Sequence, residues 1–170
     1  MPKVPRVRSF PPVEDARARI LILGSMPGIA SLREGRYYAH PQNQFWPIVC
    51  AVLGADGMPD YAERVRLLLS NGIALWDVLE SCVREGSLDS AIEDSSVVVN
   101  DFAAFFGSHP GVMRILFNGA KAEAAWRRHV LPSMGAGPAG LEYRRLPSTS
   151  PAHAAMGYAK KRHVWSAALA

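Results

Sequence analysis

Four short segments gather residues that can do chemistry. Gly24-Ser25-Met26-Pro27-Gly28 follows an apolar run, and its glycines and proline suit a tight turn whose backbone N–H groups face a ligand. Tyr37-Tyr38-Ala39-His40-Pro41-Gln42-Asn43-Gln44-Phe45-Trp46 crowds aromatics and amides at a helix start. Leu116-Phe117-Asn118-Gly119 places an amide at a strand end, and Leu146-Pro147-Ser148-Thr149-Ser150-Pro151 offers three small hydroxyls. A carboxamide carries an acceptor beside a donor, so Asn43 and Asn118 can each hold a water or read the polar edge of a ring. Each also stands where an asparagine caps a helix, Asn43 before Gln44 and Asn118 before Gly119. Ser148, Thr149 and Ser150 suit phosphate contacts, or make an ordinary polar turn.

Other chemistries find little support. Cys50 and Cys82 lie far apart among apolar neighbours, as buried reduced thiols do, and two cysteines cannot supply the four thiolates of an iron–sulfur cluster. The histidines at 40, 109, 129, 153 and 163 show no His-Glu-x-x-His spacing, so neither a metal nor a cofactor is expected. No Gly-x-x-x-x-Gly-Lys loop marks a generic nucleotide-binding protein. No lysine falls within the four motif loops, so an amine nucleophile and a Schiff base are not expected.

Charge is unevenly placed along the chain. Residues 1–47 carry seven Lys/Arg and three Asp/Glu, residues 48–110 three against ten, and residues 111–170 nine against two. A polyanion is attracted to the two ends of the chain and not to its middle. No apolar run reaches the roughly 18 residues of a membrane span, and the first residues lack the apolar stretch of a secretory signal, so a cytoplasmic protein is expected.

The elements that must position these segments can be read from periodicity. The 170 residues, 49% hydrophobic and 20% charged, suit one globular domain, with 1–17 as an irregular Pro- and Arg-rich arm. Strands are expected over 19–23, 72–78, 112–117 and 141–146, and helices from about 43, 60, 101, 119 and 155. Gly24–Gly35, 84–96 and 132–140 read as loops, the second with room for a short helix. Strands alternating with helices predict a three-layer α/β/α fold with a central, mostly parallel four-stranded sheet. Ligands in such sheets bind beyond the carboxyl ends of the strands, where three of the four segments lie.

The four segments, in this order, resemble the uracil-DNA glycosylase superfamily. The nearest likeness is to its hypoxanthine-DNA (deoxyinosine) glycosylase branch, and it includes Leu75-Trp76-Asp77-Val78 and Gly86-Ser87-Leu88-Asp89-Ser90. The mismatch-specific thymine/uracil glycosylases are similar at Tyr38-x-x-x-x-Asn43-x-Phe45-Trp46, Phe117-Asn118-Gly119 and Pro147-Ser148-x-Ser150. In many branches the third residue of the first turn is an Asp or Asn that orients the attacking water. Here it is Met26, and the hypoxanthine branch is similar in lacking that group.

The resemblance implies a monofunctional enzyme that extrudes a deaminated base from double-stranded DNA, hydrolyses its N-glycosidic bond and leaves an abasic site. Asn43 would position the water and Asn118 would read the base, whether hypoxanthine or uracil, since both present an acceptor beside an N–H. Gly24, Ser25, Met26, Pro27, Tyr38 and Phe45 would surround the base, with Tyr38, or else Tyr37, stacking on it. Phe45 and Trp46 equally suit core packing. Ser148, Thr149, Ser150, Pro151 and His153 would meet the DNA, Pro151-Ala152-His153 as a wedge. Lys160, Lys161 and Arg162 read as a solvated charged face. A uracil or thymine mismatch glycosylase and a catalytically silent damage binder are the competing readings, and a monomer is expected.

Overall fold

The computed structural model describes residues 2–135 and 137–170. In chain order its first elements are β1 (Arg6–Arg8), β2 (Ile20–Gly24), α1 (Ile29–Glu34), α2 (Phe45–Val52), α3 (Tyr61–Ser70), β3 (Ile73–Asp77) and β4 (Leu79–Val83). There follow β5 (Val98–Val99), α4 (Phe102–Ser108), β6 (Arg114–Asn118), α5 (Ala120–Ala125), α6 (Leu131–Met134), β7 (Glu142–Leu146) and α7 (Tyr158–Leu169). Strands β3, β2, β6 and β7 pair in that order, all parallel, and form the expected sheet.

Side-chain alternation explains the layers, because successive strand residues point to opposite faces. Leu21, Leu23, Ala74, Trp76, Ile115 and Phe117 face one core, closed by Phe102 and Phe105 of α4 and by Trp126 and Val130. Ile22, Ile73, Leu75 and Leu116 face the other, closed by Phe45, Ile48 and Val49 of α2, Leu68 of α3 and Trp165 and Ala168 of α7. The inner strands are buried on both faces, so they read as apolar runs. β7 lies at the edge and exposes Glu142, Tyr143, Arg144 and Arg145, charges of the kind that discourage edge pairing.

Some elements differ from the sequence expectation. The arm at 1–17 is not wholly irregular: β1 pairs antiparallel with β4, Val7 opposite Cys82, and Val13 bridges to Leu75. Val7 packs against the core, which gives a short arm segment reason to extend. β4 and β5 complete this second sheet, in the order β1-β4-β5. The loop expected over Gly24–Gly35 holds α1, and the chain at 132–134 continues as α6. Trp126–Val130 is a π-type turn within the helix expected from 119. Met1 and Ala136, within the arm and the 132–140 loop, lie outside the described residues. Cys50 and Cys82 are free and buried.

Candidate active site

A cavity of about 300 Å³ opens at the carboxyl ends of β2, β3 and β6. Its wall brings together Gly24, Ser25, Met26 and Pro27 from the first turn, Tyr38 and Asn43 from the loop before α2, Asn118 from β6, and Ser148 to Ala152 from the loop after β7. Segments separated by more than a hundred residues thus meet, because parallel strands deliver all their carboxyl ends to one edge.

The first turn is pinned from outside. The buried Arg84 donates from Nη2 to the Pro27 carbonyl (2.5 Å) and from Nε to that of Gly86 (2.8 Å). Ser25 donates its hydroxyl to Asp89 (2.7 Å), and the Ile29 N–H donates to Ser87 Oγ (2.8 Å). Gly24 is required by crowding, not by backbone angle. A Cβ there would stand 2.5 Å from Asp77 Oδ1 and 2.9 Å from the Tyr38 hydroxyl.

Asn118 is held in one orientation. The Thr149 backbone N–H can only donate, so it fixes the amide oxygen as its acceptor (2.9 Å), and the amide nitrogen donates to Thr149 Oγ1 (2.9 Å). One N–H and one lone pair of Asn118 remain uncommitted. Thr149 also accepts from the Gln44 N–H (3.0 Å), tying this loop to the start of α2. Gly119 at φ 96° lets the chain pass Ser148, whose Cβ lies 2.9 Å from where a Gly119 Cβ would be. From behind, Trp165 of α7 donates to the Pro147 carbonyl (3.0 Å) and Lys161 to that of His153 (2.7 Å).

Asn43 is half-buried at the cavity wall, and its Oδ1 accepts from the Phe45 N–H (2.9 Å). Gln44, not Asn43 as expected, stands at the cap position of α2, and the Phe45 bond leaves one lone pair on Oδ1. Tyr38 adopts a left-handed backbone (φ 53°) and stacks on Phe45, ring centroids 4.1 Å apart at 28°. Its hydroxyl is buried beside the Asn118 amide without forming a hydrogen bond to it, and burial, then Asp77, push its pKa up against the opposing pull of Asn118, so it stays neutral.

The profile described as Uracil DNA glycosylase superfamily matches residues 11–169. The chain belongs to the uracil-DNA glycosylase superfamily. It is 39% identical over 148 residues to a Methanosarcina acetivorans protein named hypoxanthine DNA glycosylase, covering 86% of this chain and 87% of that one. A Methanosarcina barkeri protein of the same name is 40% identical over 116 residues, 68% of this chain and 72% of the relative. A solution NMR structure of a candidate uracil DNA glycosylase from Methanosarcina acetivorans superposes with a TM-score of 0.78 at 35% identity, covering 96% of each chain.

Within this superfamily cavity some expected residues take other places. Phe45 is fully buried behind the Tyr38 ring and does not reach the wall. Thr149 is also fully buried, out of reach of a phosphate, and its polar atoms serve Asn118 and Gln44. His153 is exposed outside the cavity, its N–H on the Ser150 carbonyl (3.0 Å). Lys161 is not on a solvated face: it is 2% exposed, whereas Lys160 and Arg162 are exposed as expected.

The wall residues that received no role from the sequence include His40, Asp77, Ser87 and Asp89. Asp77 ends β3 beside Gly24 and is 3% exposed, with Oδ2 sealed and without a hydrogen-bond partner. Burial, then the neighbouring Asp89, raise its pKa to about 7, against the opposing pull of Arg84. Burial also raises Asp89, while the Ser25 hydroxyl and Arg84 hold it back. The signal for Asp77 was its place at the carboxyl end of a strand of the parallel sheet, the same rule that pointed to Asn118. Among the described residues no cluster of three or more His, Cys, Asp or Glu can hold a metal ion, and no helix is long and apolar enough to cross a membrane.

Proposed function

We propose that this chain is a monofunctional DNA glycosylase that removes hypoxanthine from deoxyinosine in double-stranded DNA, as a step of base-excision repair. The observation that carries the reading is the meeting of Tyr38, Asn43 and Asn118 around one cavity at the sheet's carboxyl edge. Two relatives named hypoxanthine DNA glycosylase at about 40% identity support it. A cavity of this size lies at the lower end of the range for small-molecule sites, which suits one extruded base.

The base enters flipped out of the stack, with its sugar and phosphate left at the mouth. Tyr38 offers a ring face, held by Phe45 behind it. Asn43 accepts from a water with its remaining lone pair and aims it at C1′. The bond from C1′ to N9 breaks, its electron pair leaves with the purine, and the water oxygen bonds to C1′ while its proton passes to solvent or to the purine. The transition state has oxocarbenium character in the sugar and negative charge on the base. It needs a positioned water more than a strong base, so a neutral amide suffices.

The free N–H of Asn118 donates to O6 as charge develops there. Its fixed orientation opposes adenine, which presents an amino donor at that point. Ser148 and Ser150, at the rim, contact phosphate, and the exposed turn Pro151-Ala152-His153 fills the gap in the duplex. Among the described residues no lysine lines the cavity, which favours hydrolysis over a Schiff base.

Single-turnover release, followed by alkaline cleavage of the abasic site, tests this on duplexes carrying deoxyinosine, deoxyuridine or a G·T mismatch. Fast release from deoxyinosine with weak or no release from the others is expected. Release of uracil without hypoxanthine would overturn the substrate, and no release from any duplex would leave a damage binder.

A further inference from the structure

We propose that Asp77 contacts the Watson–Crick edge of the extruded base at the floor of the cavity. The inference rests on the hypoxanthine reading above and adds a specificity-determining residue to it. Depth supplies the first argument. A flipped base enters edge first while its sugar stays at the mouth, so the edge meets a deeply buried wall group with bonding capacity to spare; Thr149 is more buried still, but its hydroxyl and N–H are bonded to Asn118. Asp77 is 3% exposed, whereas Asn43 and Asn118 are half-buried.

The second argument is an unmet bond. Asp77 lines the cavity, and among the described residues no neighbouring group donates to its carboxyl: Oδ2 is sealed without a partner, and Oδ1 lies above Gly24, itself a wall residue. A buried polar group left unpaired is rare and destabilising, and Oδ1 is the oxygen left for a base edge to meet.

Charge decides the protonation state. The departing base becomes anionic, and a buried carboxylate touching it would repel it with little solvent screening. A carboxylic acid instead donates its O–H from Oδ1 to O6, and it keeps its proton throughout. The surroundings favour that form. The ionisable groups facing Asp77 are Asp89 from the turn after β4, Arg84 beyond the end of β4, and Tyr37 and Tyr38 from the loop before α2. Arg84 directs its donors to the Pro27 and Gly86 carbonyls and not to Asp77, while Asp89 opposes a second negative charge. Burial adds to this and holds the proton up to about pH 7.

The test is single-turnover hypoxanthine release by the parent, Asp77→Asn and Asp77→Ala at several pH values. The parent should lose activity as pH rises above about 7. Asn reproduces the donor and acceptor of the neutral acid, so Asp77→Asn should keep most of the rate below that pH and should not lose it above. Asp77→Ala should be slower by about 10²-fold or more, as for the loss of one transition-state donor. An inactive but folded Asp77→Asn would make the carboxylate a base and overturn the proposal. So would an alkaline loss in Asp77→Asn matching the parent's, or a parent rate that does not fall. A parent that releases no hypoxanthine at any pH overturns the substrate reading and this inference with it, whereas an active parent with an equally active Asp77→Ala overturns the inference alone.

Discussion

Asn118 and Thr149 exchange two hydrogen bonds across 31 residues of chain, the Thr149 N–H donating to the amide oxygen and the amide nitrogen donating to the Thr149 hydroxyl. The pair turns a symmetric-looking amide into a fixed donor toward the cavity. Asn118→Asp isolates that donor. Its carboxylate can still accept from Thr149 N–H and from the hydroxyl, so the fold should hold. It has no N–H for O6 and would repel the departing base, so single-turnover rate should fall by about 10²-fold or more. A melting curve unchanged within a few degrees, paired with a parent-like rate, would remove Asn118 from the reaction.

Asn43 has two duties that substitution can separate. Its oxygen accepts from Phe45, the first N–H of α2 after the cap residue Gln44, and has one lone pair left for water. Asn43→Ala should lose about 1 kcal/mol of stability as that bond goes, and most of the chemical step, while binding deoxyinosine duplex nearly as well. Asn43→Asp keeps an oxygen for both duties and should restore the stability and part of the rate. Equal rates for the parent and a folded Asn43→Ala would leave Asn43 as a structural residue alone.

Gly24 should tolerate no side chain. The Cβ of Gly24→Ala would press on Asp77 Oδ1 and the Tyr38 hydroxyl, both buried at the floor. Such overpacking costs about 1–3 kcal/mol and narrows the cavity where the base edge would lie. Denaturant unfolding should show the loss, and hypoxanthine release should fall further than in Asn43→Asp. Parent-like stability and rate together would show that the floor can relax.

The sheet was legible because β2, β3 and β6 are short apolar runs that end in Gly, Asp or Asn, and wall residues stand at those ends. The remainder was hidden for physical reasons. Phe45 and Tyr38 are both aromatic, and only packing decides that Tyr38 faces the cavity while Phe45 lies behind it. Thr149 shares its type and spacing with Ser148 and Ser150, yet its burial turns it from a phosphate contact into a bracket for Asn118. β1 pairs with β4 across more than 70 residues, a contact that local periodicity does not encode. Asp77 reads as one acid in an acidic stretch until burial and an unmet oxygen single it out.

Duplex affinity should fall steeply with salt. The basic 1–47 and 111–170 segments include the first turn and the loop after β7, both on the cavity wall. Each phosphate neutralised releases counterions, so a plot of log binding constant against log salt should be linear with a negative slope. Fluorescence anisotropy between about 50 and 200 mM salt measures it with and without deoxyinosine. A flat line would argue against a DNA substrate.

Asp77 also predicts how stability changes with pH. In the unfolded chain its carboxyl ionises near the ordinary value of 3.8, whereas the folded protein holds the proton to about 7. Between those values the native state binds more protons than the unfolded state, so this group's contribution to stability falls as pH rises through the window and levels off above it. A gap of roughly three units corresponds to on the order of 4 kcal/mol. Asp77→Asn carries no charge at either end, so it avoids the loss. Its stability relative to the parent should therefore be lowest near pH 4 and rise by a few kcal/mol by pH 8. Urea unfolding of both proteins at pH 4, 6 and 8 gives the difference directly. If it does not change with pH, Asp77 ionises as easily in the folded protein as in the unfolded chain, and the neutral acid at the cavity floor is lost with it.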